Sequence, residues 1–242
     1  MIIGPGTPLV AGLWYKGSKG DEEFFDIARL HINMKALAWL FSFSLLAPAG
    51  KVINFDTFTL GKTPPGWTVS MTDTGTAPRW EILKDRTAPT QPYVLAQVST
   101  GGNSARSPLA IFDGANLRDA DVSVRIKPVS GHEGQAGGVV WRYRDANNYY
   151  LVRANALEND IAVYKVENGH RIPLMAGVKH PIAANVWCIL KVSARGNRFQ
   201  VFLDHRRILE GQDATFTGPG KVGLWTLADS VTYFDDFRVY PK

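Results

Sequence analysis

The sequence predicts an all-β fold, an antiparallel two-sheet sandwich of the jelly-roll type. Three observations lead there. Residues 137–169 read as three consecutive antiparallel strands with both turns written in, Asp145-Ala146-Asn147-Asn148 and Glu158-Asn159-Asp160, and a further turn follows at Glu167-Asn168-Gly169. Roughly a dozen short apolar or alternating segments along the chain are divided by Gly, Pro, Asn and Asp, the punctuation of a sandwich rather than of a parallel α/β fold. No internal repeat of roughly 20–50 residues stands out, which argues against a propeller.

Taken in order, the first strand is expected at residues 52–58, followed by a loop at residues 61–67 in which Gly61, Pro64, Pro65 and Gly66 interrupt any regular element. Further strands are expected at residues 80–84, 93–98, 109–112 and 122–128. In the last of these Val122, Val124 and Ile126 alternate with Ser123, Arg125 and Lys127, the period of a sheet with one wet face. Residues 113–119 are expected to hold a short helical turn capped by Asp113 or Asn116. The meander comes next, continued by residues 170–176 and a strand at 186–193. A hairpin at 199–203 and 207–209 turns around Asp204-His205-Arg206, and residues 221–226 and 231–240 close the chain.

The chain has 242 residues, 45% of them hydrophobic and 11% aromatic, enough for one sizeable core, and residues 50–242 are read as a single domain. The formal net charge is +5, and residues 1–49 carry equal numbers of acidic and basic groups, so the excess belongs to the remainder. Those positive charges are scattered rather than run together, which excludes a nucleic-acid groove. Met34-Lys35 followed by an apolar run to Leu46 and then Ala47-Pro48-Ala49 has the layout of a secretory signal, too short for a membrane span. Residues 34–49 are therefore expected to be a signal peptide, residues 1–33 a non-native or over-extended start, and the mature domain secreted or periplasmic and not membrane-spanning. Cys188, the single cysteine, sits beside Trp187, Ile189 and Leu190 and reads as inert packing.

The segments Gly138-Val139-Val140-Trp141-Arg142-Tyr143-Arg144-Asp145 and Asn148-Tyr149-Tyr150-Leu151-Val152-Arg153, together with Phe202-Leu203-Asp204, Gly223-Leu224-Trp225-Thr226 and Phe234-Asp235-Asp236-Phe237, resemble bacterial concanavalin A-like lectin and glucanase jelly rolls. Within that group the likeness is to the laminin-G-like and 3-keto-disaccharide-hydrolase-like domains of secreted proteins, over about residues 52–240. The resemblance implies two curved sheets whose concave face commonly binds sugars, and in related jelly rolls a structural calcium where the first and last strands meet. Asp56, Asp235 and Asp236 are the candidate ligands here, because calcium takes hard oxygen donors. Asp235 shares its face with Val231, Tyr233, Phe237 and Val239, so its inward carboxylate needs a cation or several hydrogen-bond donors.

No catalytic set is recognised. Laminarinase-type jelly rolls carry Glu-x-Asp-x-(x)-Glu on one strand, and that run does not occur here; Glu81, Glu133, Glu158, Glu167 and Glu210 are dispersed. His132, His170, His180 and His205 are possible bases by residue type, each without a distinctive motif. The ligand-binding candidates are Arg142, Arg144, Tyr150, Arg153, Asn155 and Trp225: guanidinium groups donate paired hydrogen bonds to hydroxyls, and aromatic rings stack on sugar faces. Arg142 and Arg144 alternate with Trp141 and Tyr143, giving that strand a basic and an aromatic face. The competing reading is a solvated polar face with cross-strand pairing, and for Trp225 a place in the core. Strict alternation also sets Arg153 and Asn155 with Tyr149 and Leu151, so either a bulge intervenes or those polar groups are satisfied internally. The reading is a secreted domain that binds an oligosaccharide or polysaccharide without catalysis of its own. A hydrolase or lyase of the 3-keto-disaccharide type and a structural cell-envelope domain are the alternatives.

Overall fold

Alternation of buried and more open side chains marks β-strands at residues 80–84, 120–126, 188–195 and 198–203 of the computed structural model, which describes residues 50–101 and 103–242. The strands at residues 136–145 and 148–155 are instead buried on both faces over most of their length. The expected signal at residues 34–49 and the segment 1–33 lie outside the described residues. The first eight strands are β1 (Lys51–Ile53), β2 (Trp67–Thr72), β3 (Trp80–Lys84), β4 (Tyr93–Gln97), β5 (Ser107–Leu117), β6 (Ala120–Ser130), β7 (Ala136–Asp145) and β8 (Asn148–Asn155). They are followed by β9 (Asp160–Glu167), β10 (His170–Pro173), β11 (Val178–Lys179), β12 (Cys188–Arg195), β13 (Arg198–Leu203), β14 (Arg206–Gln212), β15 (Gly220–Thr226) and β16 (Val231–Pro241). Sheet A runs β14-β13-β12-β6-β16-β4-β3 with β1 paired to β16, and sheet B runs β10-β9-β8-β7-β15-β5-β2 with β11 paired to β9. All the paired strands are antiparallel. No helix among the described residues is long and apolar enough to cross a membrane.

Between the sheets lies one core. On β6, Val122, Val124 and Ile126 point into it while Asp121, Ser123 and Arg125 point out, as the period of two requires. Trp67, Phe112 and Phe237 meet at one end with centroids 5.0–5.8 Å apart, and Trp141 stacks on Tyr150 at 5.3 Å at the other. Each such ring, taken out of water, contributes on the order of 2–3 kcal/mol.

Three local expectations give way to the tertiary structure. The first strand stops at Ile53, because Phe55 takes φ +66° and its carbonyl accepts the Phe58 N–H, a turn that drives the Phe55 ring fully into the core. Residues 113–119 do not turn helically: β5 runs on through Leu117, held where the Asp113 N–H donates to Gly66 O and its carboxylate accepts from Thr68 and Lys221. Trp67–Thr72, left outside the expected strands, pairs along β5.

Sheet B also has a second buried cluster on its outer face, comprising Leu109, Ile111, Val140, Tyr149, Leu151, Val166 and Trp225, with Tyr143 and Tyr164 packed against it. That face is concave. β10 and β15 are four strand spacings apart, roughly 19 Å if the sheet were flat, yet the Arg171 guanidinium of β10 lies 5.8 Å from the Trp225 ring of β15.

Candidate functional site

Five of the six candidate binding residues fall into two groups at opposite ends of the β7–β8 hairpin, and the sixth, Trp225, lies on β15 opposite Gly138. Arg142, Arg144 and Tyr150 stand at the turn end, and Arg153 and Asn155 at the other, opposite Gly138 and Ala136. The expected alternation of Arg142 with Trp141 and Tyr143 is broken by a bulge between Trp141 and Asp145, with Arg142 at φ +49°. The bulge swings Arg142 into the end of the sandwich, where only 2% of it is exposed. There its guanidinium donates to Arg118 O at 3.0 Å, to Phe216 O at 2.7 Å and to Gly196 O, and pairs with Asp119 at 3.3 Å. Three loops are thereby tied to one side chain. Tyr150 faces the core; its hydroxyl donates to Asp213 at 2.5 Å and accepts the Phe216 N–H at 2.9 Å. Burial, with the Asp213 carboxylate adding to it, pushes the Tyr150 phenol up to about 12. Arg144 lies in the open, 4.9 Å above the Phe216 ring.

The other group belongs to the concave face. Alternation along β8 is strict there, so Arg153 and Asn155 do share a face with Tyr149 and Leu151, and the surrounding strands supply the rest of the patch. Arg153 Nη2 donates to Glu158 at 2.6 Å and to Asp160 at 2.8 Å, acids brought beside it by the β8–β9 turn, while its guanidinium lies 5.5 Å from the Tyr164 ring. Arg171 lies 5.6 Å from that same ring, so one tyrosine is flanked by two guanidiniums. Burial pulls the Arg171 guanidinium below its ordinary value, Tyr164 opposes this and the Arg153 charge adds to it. Burial likewise pushes the Tyr149 phenol well above its usual range, against a hydrogen bond with Thr72. Gly138 makes the packing possible: a Cβ there would come within 2.5 Å of Val152 O and 3.2 Å of the Trp225 ring.

What distinguishes this patch is unmet hydrogen bonding. Of the seven buried side-chain polar atoms left without a partner among the described residues, four belong to this face: Arg153 Nε, Asn155 Nδ2, Arg171 Nη1 and Trp225 Nε1. All four are donors. The Trp225 indole does lie near enough to the Tyr149 hydroxyl to offset part of its rise, without reaching hydrogen-bond geometry. Each unpaired buried donor costs about 1–3 kcal/mol, and four of them gather on one face of one sheet. Its rim is open at Glu158, whose side chain is 52% exposed. The adjoining β6–β7 loop is fixed by the Asp229 carboxylate, which accepts the N–H groups of His132, Glu133 and Gly134 at 2.7–3.1 Å.

The acids considered for calcium lie where β1, β4 and β16 meet. Asp235 is fully buried; its oxygens accept the Thr90 N–H at 2.9 Å, the Thr90 hydroxyl at 3.0 Å and the Asp236 N–H at 2.7 Å. Asp56 accepts the Tyr93 N–H at 3.0 Å, and Asp236 faces Arg125 at 3.1 Å and Arg238 at 3.4 Å. Among the described residues no group of three or more His, Cys, Asp or Glu gathers as a metal site. Cys188 is half-buried, and burial, reinforced by the Asp204 charge, pushes its thiol up to about 12.

No protein-family model matches the chain. It is 32% identical over 107 residues to the levanase of Bacillus subtilis (strain 168), an alignment that takes in 44% of this chain and only 15% of that enzyme. Among solved structures it superposes on the carbohydrate binding module CBM66 from Bacillus subtilis with a TM-score of 0.56 and 26% identity, over 72% of this chain and 94% of that one. A Bacillus licheniformis beta-glucanase gives a TM-score of 0.55 at 12% identity, covering 80% and 98%. The fold is that of the concanavalin A-like jelly rolls.

Within this jelly roll, sequence reasoning reached Arg153, Asn155 and Trp225 but missed Tyr164, Arg171, Glu158 and Asp160. A local signal for the acids did exist, since the turn at residues 156–159 pairs Asn155 with Asp160 and so returns two carboxylates to Arg153. Tyr164 likewise alternates outward with Ala162 and Val166, while Ile161 and Val163 fill the core. Arg171 carries no such signal, because its neighbour Trp225 lies four strands away in the jelly-roll order.

Proposed function

We propose that this domain is a secreted or periplasmic carbohydrate-binding jelly roll that takes a neutral, hydroxyl-rich sugar on the concave face of sheet B. The observation that carries this reading is the convergence there of Arg153 and Arg171 on the partly exposed Tyr164 ring, backed by unpaired donors of Arg153, Asn155, Arg171 and Trp225. Sugar hydroxyls and ring oxygens are acceptors, and the half-buried Tyr164 supplies an apolar face for a pyranose or furanose ring to pack against, with the fully buried Trp225 as part of the floor beneath it. The likeness to a carbohydrate binding module and to part of a levanase supports the same ligand class and makes levan the first polymer to try. Catalysis is disfavoured by the geometry: Glu158 and Asp160 converge, but on the Arg153 guanidinium, which occupies the space between them where a glycosidic oxygen would have to lie.

Calorimetric titration with levan fragments tests the proposal, with a β-glucan as comparator. Arg171→Met removes a charged donor worth about 1.5–3 kcal/mol to a bound acceptor, so affinity should fall roughly tenfold or more while the melting temperature stays close to wild type. Equal affinity of Arg171→Met and wild type, or no binding of any neutral polysaccharide by wild type, overturns the reading.

A further inference from the structure

The outer face of sheet A, on the opposite side of the sandwich, carries a different arrangement. Two grooves of about 400 Å³ each adjoin across β14, β13, β12, β6 and β16. In the second, register sets Phe202, Lys191, Ser123 and Arg238 side by side on four neighbouring strands. Lys191 and Arg238 thus stand two strand spacings apart, roughly 10 Å, with the small Ser123 as the floor between them. A bulge between Val201 and Phe202 turns the Phe202 ring toward this row, and Lys191 lies 5.3 Å from it. Tyr240, 40% exposed, stands on the same face at the neighbouring row, opposite Asp121.

Charge on this face is unbalanced. Asp121 is shared by Lys191 at 2.9 Å, Arg195 at 2.9 Å and Lys242 at 3.5 Å, and Asp236 by Arg125 at 3.1 Å and Arg238 at 3.4 Å. Two carboxylates therefore serve five cations, leaving an excess of three positive charges. The cations remain available, since the side chains of Arg125, Lys191 and Arg238 are 39%, 35% and 44% exposed. An isolated surface pair contributes little to stability, and a carboxylate already shared among several cations can satisfy none of them fully. The remaining donors point outward beside two aromatic rings.

We propose that the outer face of sheet A is a second glycan site, selective for an anionic polysaccharide, whose carboxylates pair with Lys191, Arg125 and Arg238 while its sugar rings lie against Phe202 and Tyr240. The charge excess selects the polymer's sign, and the aromatic rings select a sugar over a bare polyanion. This site is independent of the concave face: it uses other strands and prefers an anionic ligand where the concave face takes a neutral one.

The test is native affinity electrophoresis and calorimetry of the full chain with polygalacturonate, with neutral dextran and inorganic polyphosphate as comparators. Wild type should bind polygalacturonate, more weakly as salt rises because exposed charges are screened. Lys191→Gln/Arg238→Gln should lose roughly tenfold or more in affinity, given two charge-assisted contacts removed. Single Lys191→Gln should lose less, and Arg171→Met on the other sheet should bind as wild type does. Circular dichroism and melting temperature check that the exposed substitutions leave the fold intact. Absence of polygalacturonate binding by wild type, equal affinity of the double variant, or polyphosphate binding as tightly as polygalacturonate each overturns the proposal.

Discussion

Arg142 and Arg153 belong to the same hairpin, are both almost fully buried, and do opposite things. Arg142 spends its guanidinium on three carbonyls and one carboxylate from three separate loops, all within the protein. Arg153 pairs with two acids at a rim and keeps Nε unpartnered, next to other unpartnered donors. Burial alone therefore does not separate a structural arginine from a binding one. The separating quantity is how much of the donor capacity the fold itself consumes, because an internally satisfied guanidinium has nothing left to offer a ligand.

The strongest way to break this comparison is Arg142→Ala. It strands the carbonyls of Arg118, Phe216 and Gly196 in the end of the sandwich, and removing one partner from a buried charged network costs about 3–5 kcal/mol. For a domain of this size the melting temperature should drop on the order of 10 °C, read by scanning calorimetry. Sugar affinity at temperatures where the variant is folded should be unchanged. The converse pattern, small loss of stability and large loss of affinity, is what Arg171→Met is expected to show. If Arg142→Ala abolished sugar binding in the folded state, the division between the two ends of the hairpin would be wrong.

How legible this was in the sequence follows from the range of the interactions involved. The meander and the later β13–β14 hairpin could be read because their turns are local: Asn168 and Gly169 take φ +52° and +81°, and Asp204 and His205 +45° and +68°, the left-handed geometry of two-residue hairpins. The bulge at Arg142 could not, since a segment that alternates perfectly in letters gives no hint that one residue will step out of register. β2 reads Trp-Thr-Val-Ser-Met-Thr, an alternation the letters do carry, although on this sheet edge the burial does not follow it. Half of the candidate site was visible as Arg153, Asn155 and Trp225. The other half depends on the strand order that curls β10 over toward β15, and strand order is not a local property.

Asp235 sharpens the comparison from the anionic side, with a smaller expected effect. Burial, opposed by the Thr90 and Asp236 donors, raises its carboxyl to about 6, above an unfolded value of about 3.9. A raised carboxylate favours the folded state most where it is protonated. Its contribution is thus complete below about pH 4 and is lost as pH rises through about 6. Between pH 5 and pH 7 this single group should take away roughly 1 kcal/mol of stability. Urea unfolding at both pH values should find that difference reduced by about that amount in Asp235→Asn, whatever the variant's overall stability. An identical pH difference in variant and wild type would mean that Asp235 is ionised at no extra cost, as fully satisfied as Arg142.

The smallest expected effect concerns calcium, and it turns on the same accounting of partners. A cation between Asp56, Asp235 and Asp236 would need oxygen lone pairs that are turned toward it. Both Asp235 oxygens already accept from Thr90 or Asp236, the Asp56 oxygen accepts from the Tyr93 N–H, and Asp236 is flanked by two arginines. A divalent ion would have to displace these N–H donors and settle beside the Arg125 and Arg238 charges. The melting temperature is accordingly expected to stay within about 1 °C on adding calcium or a chelator, a shift equivalent to well under 1 kcal/mol. A rise of several degrees with calcium would show that Thr90 and Tyr93 release their carboxylates. It would also make the β1–β16 end of the sandwich a place where polar groups are exchanged between the fold and a bound ion, as the concave face is proposed to exchange them with a sugar.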